Sequence, residues 1–108
     1  MIHEMRVYRC LPGRLPALLK RFETLTLPLW ERHGIRQAGF WTTLVGASNQ
    51  DLTYLLAWDN MGERQVRWDA FQSDPDWIKG KAASEADGQI VETIVNQFLA
   101  PTAFSSVR

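Results

Sequence analysis

Cysteine is almost missing from this chain of 108 residues, where Cys10 stands alone. An intrachain disulfide and a cysteine-based metal cluster are thereby excluded. No flanking motif makes Cys10 a nucleophile, so it reads as a small buried hydrophobe. Histidine is nearly as scarce. Only His3 and His33 occur, and no paired His or carboxylate spacing marks a metal or haem site. Neither sign of charge is in excess, with 12 Lys and Arg against 12 Asp and Glu. Nucleic-acid binders and readers of anionic membranes usually carry a basic surplus. No apolar run reaches the roughly 18 residues of a spanning helix. The segment Met1-Ile2-His3-Glu4-Met5-Arg6 has neither a signal-peptide nor a transit pattern. The expectation is a cytoplasmic protein with no nucleic-acid partner and no membrane insertion. Phosphate-binding glycine loops, nucleophile elbows and dinucleotide fingerprints are also missing, and Gly46, Gly62, Gly80 and Gly88 are isolated. ATP hydrolysis and nicotinamide chemistry are disfavoured, and no cofactor is expected.

What the chain does have is a clear change of period. From His3 to Leu11 residues alternate, with Met5 and Val7 on one face and Glu4, Arg6 and Tyr8 on the other, which predicts a strand. After Pro12-Gly13, Leu15, Leu18, Leu19, Phe22 and Leu25 recur at helical spacing. Pro16 suits a first turn, whereas Pro28 removes an interior hydrogen bond and predicts a kink near Thr26-Leu27. A short second piece should stop at Gly34. Gly39 to Val45 and Leu52 to Trp58 read as two strands of a hairpin, the second apolar enough to be central. Asn60 with Glu63 predicts a capped helix carrying Met61, Arg64, Trp68 and Phe71. Ser73 or Asp74, with Pro75, starts another over Asp76 to Ala86. Gln89 to Leu99 is a last strand with Ile90, Glu92, Ile94, Asn96 and Phe98 on one face.

The order β-α-β-β-α-β is the split βαβ arrangement, so a single α+β, ferredoxin-like domain over residues 1–108 is expected, with a four-stranded antiparallel sheet. Both helices then cover one sheet face. The other face carries apolar residues too, since the strands have them in both phases. A second copy laid sheet against sheet would cover it, so a homodimer is expected.

The spaced set Tyr54-x-Leu56-x-Trp58-x5-Arg64-x3-Trp68-x2-Phe71-x2-Asp74-Pro75-x-Trp77 resembles the NIPSNAP family. Glu4-x-Arg6-x-Tyr8-x3-Pro12-Gly13 resembles its opening strand, and Leu27-Pro28-Leu29 its first-helix end. The resemblance covers almost the whole chain and implies a dimeric α+β barrel. Related families use the space between sheet and helices for small molecules. They include cofactor-free monooxygenases, muconolactone isomerases and haem-handling enzymes.

A ligand-binding set follows from the strand faces. Arg6 would hold a substrate carboxylate or enolate, Tyr8 would donate a hydrogen bond, and Glu4 could act as base. The alternative is an ion-pair network that pins the strand ends or the dimer. Glu92 and Asn96 join the set if their phase faces the same space. Trp41, Tyr54 and Trp58 are strand aromatics suited to walls around a flat ligand. Trp68 and Trp77 read as core, and Arg32, Arg36, Arg64 and Arg67 as solvated surface. Two functions remain open at this point. One is a dimer that binds a small apolar or aromatic molecule between sheet and helices, with cofactor-independent monooxygenase- or isomerase-like chemistry. The other is a non-catalytic interaction module whose faces simply pack.

Overall fold

The computed structural model describes residues 1–108. Strand β1 (Ile2–Cys10) leads into helix α1 (Leu15–Arg21), which runs through a π-helical turn (Phe22–Thr26) into α2 (Leu27–Arg32). Strands β2 (Arg36–Thr42) and β3 (Asp51–Trp58) follow, then α3 (Met61–Gln72), α4 (Pro75–Ser84) and β4 (Val91–Leu99). The sheet order is β2-β3-β1-β4, and every neighbouring pair is antiparallel. This is the expected four-stranded α+β arrangement, with the apolar strand β3 in an inner position.

Register decides which side chains meet. Arg6 lies opposite Tyr54 on β3 and Asn96 on β4. Glu4, Arg6 and Tyr8 therefore share one face with Leu52, Tyr54, Leu56 and Trp58, and with Ile94, Asn96 and Phe98. The helices cover the part of that face formed by β1 and β3, whereas Ile94, Asn96 and Phe98 on β4 remain exposed. Phe22, Trp30, Phe71 and Trp77 lie against the covered part and form one buried aromatic core with Tyr8 and Tyr54.

Pro28 is accommodated by widening rather than by a break. The Leu27 N–H bonds back five residues to the Phe22 carbonyl. The π-helical register spares the donor that proline lacks. The helix continues, so Phe22, Thr26 and Trp30 all reach the sheet side. It stops at Gly34, whose φ of 69° lies in the left-handed region. Arg67 lies against this glycine and donates to the carbonyls of His33 (3.2 Å) and Gly34 (3.3 Å), so a side chain at 34 would collide with it. The helices α3 and α4 begin at the expected caps. Asn60 accepts from the Glu63 N–H at 2.8 Å, and Asp74 from the Asp76 N–H at 2.9 Å. Asp74 also receives His33 at 2.7 Å and Arg32 at 3.0 Å, which ties the end of α2 to the start of α4. The last helix ends at Ser84, two residues before Ala86.

One strand is displaced from its expected place. The pattern put β2 over Gly39 to Val45, but it runs from Arg36 to Thr42. Gly39, at φ 126°, sits within a bulge between Gln37 and Phe40 rather than at a strand start. Leu44 and Val45 fall in the connecting loop and are 97% and 98% exposed. Pairing stops at Thr42 opposite Leu52, so nothing remains for those two residues to pack against.

The sheet face away from the helices has no cover within the chain. Met5, Val7, Leu55 and Ala57 are half-buried there, while Trp41 and Val95 are exposed.

Candidate functional site

Glu4 is the hub of the helix-covered sheet face. Its side chain is fully buried, and its two carboxylate oxygens accept five hydrogen bonds. Arg6 Nη1 donates at 2.9 Å, Trp58 Nε1 at 3.2 Å and Asn96 Nδ2 at 2.9 Å. Arg64 donates through both Nε and Nη2 at 3.2 Å. These donors come from β1, β3, β4 and α3, so one carboxylate joins the three adjoining strands to a helix. Burial by itself would raise its pKa. The hydrogen bonds from Arg64 and Asn96, with the charge of Arg6, outweigh that and hold it below the usual glutamate range. A carboxylate so saturated is a poor proton acceptor, which argues against the base role considered for Glu4.

Arg6 is equally committed. Its Nε donates to the Tyr54 hydroxyl at 2.9 Å, its Nη1 to Glu4 and its Nη2 to the Tyr8 hydroxyl at 3.4 Å. Burial opposes its charge, yet the two phenols and the Glu4 carboxylate raise its pKa above the ordinary arginine value. The Tyr54 hydroxyl in turn donates a hydrogen bond to Tyr8 Oη at 3.0 Å. Burial, reinforced by Tyr8, pushes the Tyr54 phenol well above the usual tyrosine range, so it stays neutral. Tyr8 thus accepts twice and keeps one O–H to donate elsewhere. The guanidiniums of Arg6 and Arg64 both lie over the Trp68 ring, at 4.6 Å and 5.3 Å from its centre.

Beside this network a cavity of about 650 Å3 opens between the sheet and the helices. Arg6 and Tyr8 border it from the sheet, Phe22, Thr26 and Trp30 from the first helix, and Trp77 from α4. Glu92, Thr93 and Ile94 on β4 form another side, and Arg21 lines it from the end of α1. Volumes of this size lie in the range of small-molecule pockets.

The sequence-predicted residues divide accordingly. Arg6, Tyr8 and Glu92 border the cavity. Glu4, Tyr54, Trp58 and Asn96 stand behind it as the network that fixes Arg6 and Tyr8. Trp41 does not belong: it pairs with Thr53 on the opposite face and is 52% exposed. The inward residue is its neighbour Phe40, which stacks on Tyr54 at 4.8 Å. Sequence reasoning missed Arg64, Trp68, Trp30 and Arg21. A buried arginine and a surface arginine look alike in a helical pattern. The available signal for Arg64 was its place in the same ordered motif as Trp58 and Trp68. No three His, Cys, Asp or Glu side chains are placed to hold a metal ion, and no helix is long and apolar enough to cross a membrane.

Fold and site together define a ferredoxin-like α+β domain with a buried ionic network beside a cavity on its helix-covered sheet face. The chain belongs to the NIPSNAP family, whose model matches residues 3–106. It is 28% identical to an uncharacterized NIPSNAP domain protein from Burkholderia xenovorans, with 97% of this chain and 98% of that one covered and a TM-score of 0.84. A NIPSNAP family protein with unknown function from Agrobacterium tumefaciens matches at 24% identity and TM-score 0.87, covering 100% and 94%. A more distant fold relative, at 7% identity and TM-score 0.64 over 94% and 98%, is described as a putative antibiotic biosynthesis monooxygenase from Nitrosomonas europaea. No curated protein matches the chain.

Proposed function

We propose that this protein is a homodimer, each copy of which binds a small molecule with an apolar or aromatic body between its sheet and helices. The cavity of about 650 Å3 carries this reading. A module that only packs would fill that space with side chains. Here the rings of Phe22, Trp30 and Trp77 wall one part of the space, and polar side chains that include Tyr8, Arg6 and Glu92 line the rest. The Tyr54–Arg6–Glu4 chain behind Tyr8 holds that phenol in one orientation. A donor fixed in this way can bind a carbonyl or enolate oxygen and stabilise charge that develops on it. Cofactor-independent isomerase- or monooxygenase-like chemistry needs such a group, and the fold likeness to a monooxygenase-described protein is consistent with it. Pairing through the bare sheet face is supported by exposed Trp41 and Val95 beside half-buried Met5, Val7 and Leu55.

Native mass spectrometry of gently purified protein tests both parts. A dimer is expected, carrying added mass from retained ligand. Trp41→Ser should shift it towards monomer while keeping the ligand. Ile94→Trp, which fills the side of the cavity, should keep the dimer and lose the ligand. A wild-type monomer at micromolar concentration would refute the pairing. Ligand mass retained equally by Ile94→Trp would place binding outside the cavity.

A further inference from the structure

Helix α4 spans the cavity. Trp77, Lys81 and Glu85 recur every four residues along it, which puts them on one side of the helix, and all three border the same space. Of the ten residues of α4 only Trp77 is buried. The backbone of the helix lies chiefly beside α1, the π-helical turn and α3. Midway, Gly80 lies against the Leu25 side chain with no side chain of its own to interlock with it. A helix this short is marginal in water without packing, so what holds its two ends decides whether it stays in place.

Those ends are held unequally. At the start, buried Asp74 caps the helix and receives His33 and Arg32, and the Trp77 ring lies 4.6 Å from that of Phe71. At the other end two arginines reach across from α1 and the residue before it. Arg21 Nη1 donates to Ser84 Oγ at 3.3 Å and Glu85 Oε1 at 3.1 Å. Arg14 donates to the Asp87 carboxylate at 3.0 Å and 3.3 Å, and to the carbonyls of Gly88 at 3.1 Å and Gln89 at 3.2 Å. The Asp87 side chain is 74% exposed and that of Glu85 32%, and ion pairs with a wet member are weak. Gly88 follows at a φ of 131°, with open space where a side chain would stand. A glycine in that conformation is a low-cost pivot.

We infer that α4 is the gate of this cavity. It is hinged at Asp74 to Trp77, and its C-terminal half swings outward when Arg21 and Arg14 release Glu85 and Asp87, with the chain turning at Gly88. Opening widens the gap between Lys81 and Glu85 on one side and Glu92 and Thr93 of β4 on the other, all of which line the cavity or its rim. The inference rests on the binding role proposed above for its purpose alone, because the motion itself needs no ligand.

Two thiols report the motion. Thr26→Cys puts one on the cavity wall at a position 2% exposed, and native Cys10 on β1, also 2% exposed, serves as the reference for global unfolding. Labelling by iodoacetamide at pH 8 is followed at each site by mass spectrometry. The introduced thiol is expected to react about tenfold or more faster than Cys10, through an opening short of unfolding. Adding Glu85→Gln and Asp87→Asn should speed it about fivefold further, the effect of losing weak surface pairs. Adding Leu56→Val instead loosens the core that stays folded in the open state, so Cys10 should speed up several-fold while the introduced thiol keeps its rate. Equal labelling of the two thiols would overturn the gate, and so would parallel acceleration by Leu56→Val, since both mean unfolding. An introduced thiol indifferent to Glu85→Gln with Asp87→Asn would overturn it too, as access would not pass through α4. Amide hydrogen exchange of the unsubstituted chain reads the same motion should Thr26→Cys not fold. The amides of Lys79 to Ser84 should share one opening, about tenfold or more ahead of those of β1 and β3. Exchange no faster than β3, or graded inward from Ser84 as in fraying, would overturn the gate. The binding role is judged separately by retained mass in native mass spectrometry, so either can fail alone.

Discussion

Replacing Glu4 by Gln changes one atom and removes the charge on which five hydrogen bonds converge. The glutamine amide nitrogen would face donors, so at least two of the bonds to Oε2 or Oε1 are lost and become donor against donor. Arg6 and Arg64, with side chains only 9% and 14% exposed, would lose their one acidic partner. Breaking a buried pair by removing one member costs about 3–5 kcal/mol. With a urea slope of about 1–3 kcal/mol per molar, the midpoint should fall by roughly 1–5 M. The assay is urea unfolding followed by tryptophan fluorescence, repeated from pH 7 to pH 3. The sign of the pH effect follows from the lowered carboxyl pKa of Glu4. A group with a depressed folded pKa contributes stability above its unfolded pKa and loses it as pH falls through the folded one. The gap between wild type and Glu4→Gln should therefore hold from pH 7 to about 5 and narrow below roughly pH 4.3, the usual glutamate value. A Glu4→Gln protein within about 1 kcal/mol of wild type at pH 7 would refute the claim that this network supports the fold.

Two further outcomes follow from the same structure. Cys10 is 2% exposed and burial pushes its thiol pKa up; a thiol reagent at pH 8 should label it only as fast as the protein unfolds, and fast labelling of native protein would contradict its burial. Leu44→Ser with Val45→Ser should alter stability by no more than about 0.5 kcal/mol, since both lie in the loop after β2. A loss of several kcal/mol would restore them to a strand.

Period and punctuation were enough to read most of the architecture. The alternation over Glu4, Arg6 and Tyr8 identified a polar face that does lie beneath the helices, and Pro75, Asn60 and Gly34 stand where helix chemistry put them. Trp41 and Phe40 show where that reading stops. Both are apolar and adjacent, and the bulge at Gly39 that settles which one turns inward is a feature of strand pairing rather than of the strand itself. Arg64 and Arg21 show a second limit. Each sits on a helix among polar neighbours, and only the tertiary approach of α3 to Glu4, or of α4 to the end of α1, distinguishes a buried guanidinium from a wet one. That Arg21 and Trp30 border one cavity could not have been read at any level below the assembled fold.

The position of Glu4 also bears on how the chain reaches its native state. Its partners are separated from it by 54, 60 and 92 residues along the sequence, at Trp58, Arg64 and Asn96. Strand β1 lies between β3 and β4, so its second edge is completed only by the last of the four strands to be made. Until then Glu4 has no reason to leave water, and the inner strand has an open side. Contacts this distant raise the loop-closure cost that precedes any gain. Folding of this domain should therefore be an all-at-once event that waits until β4 has been made, with the first strand kept waiting for the fourth.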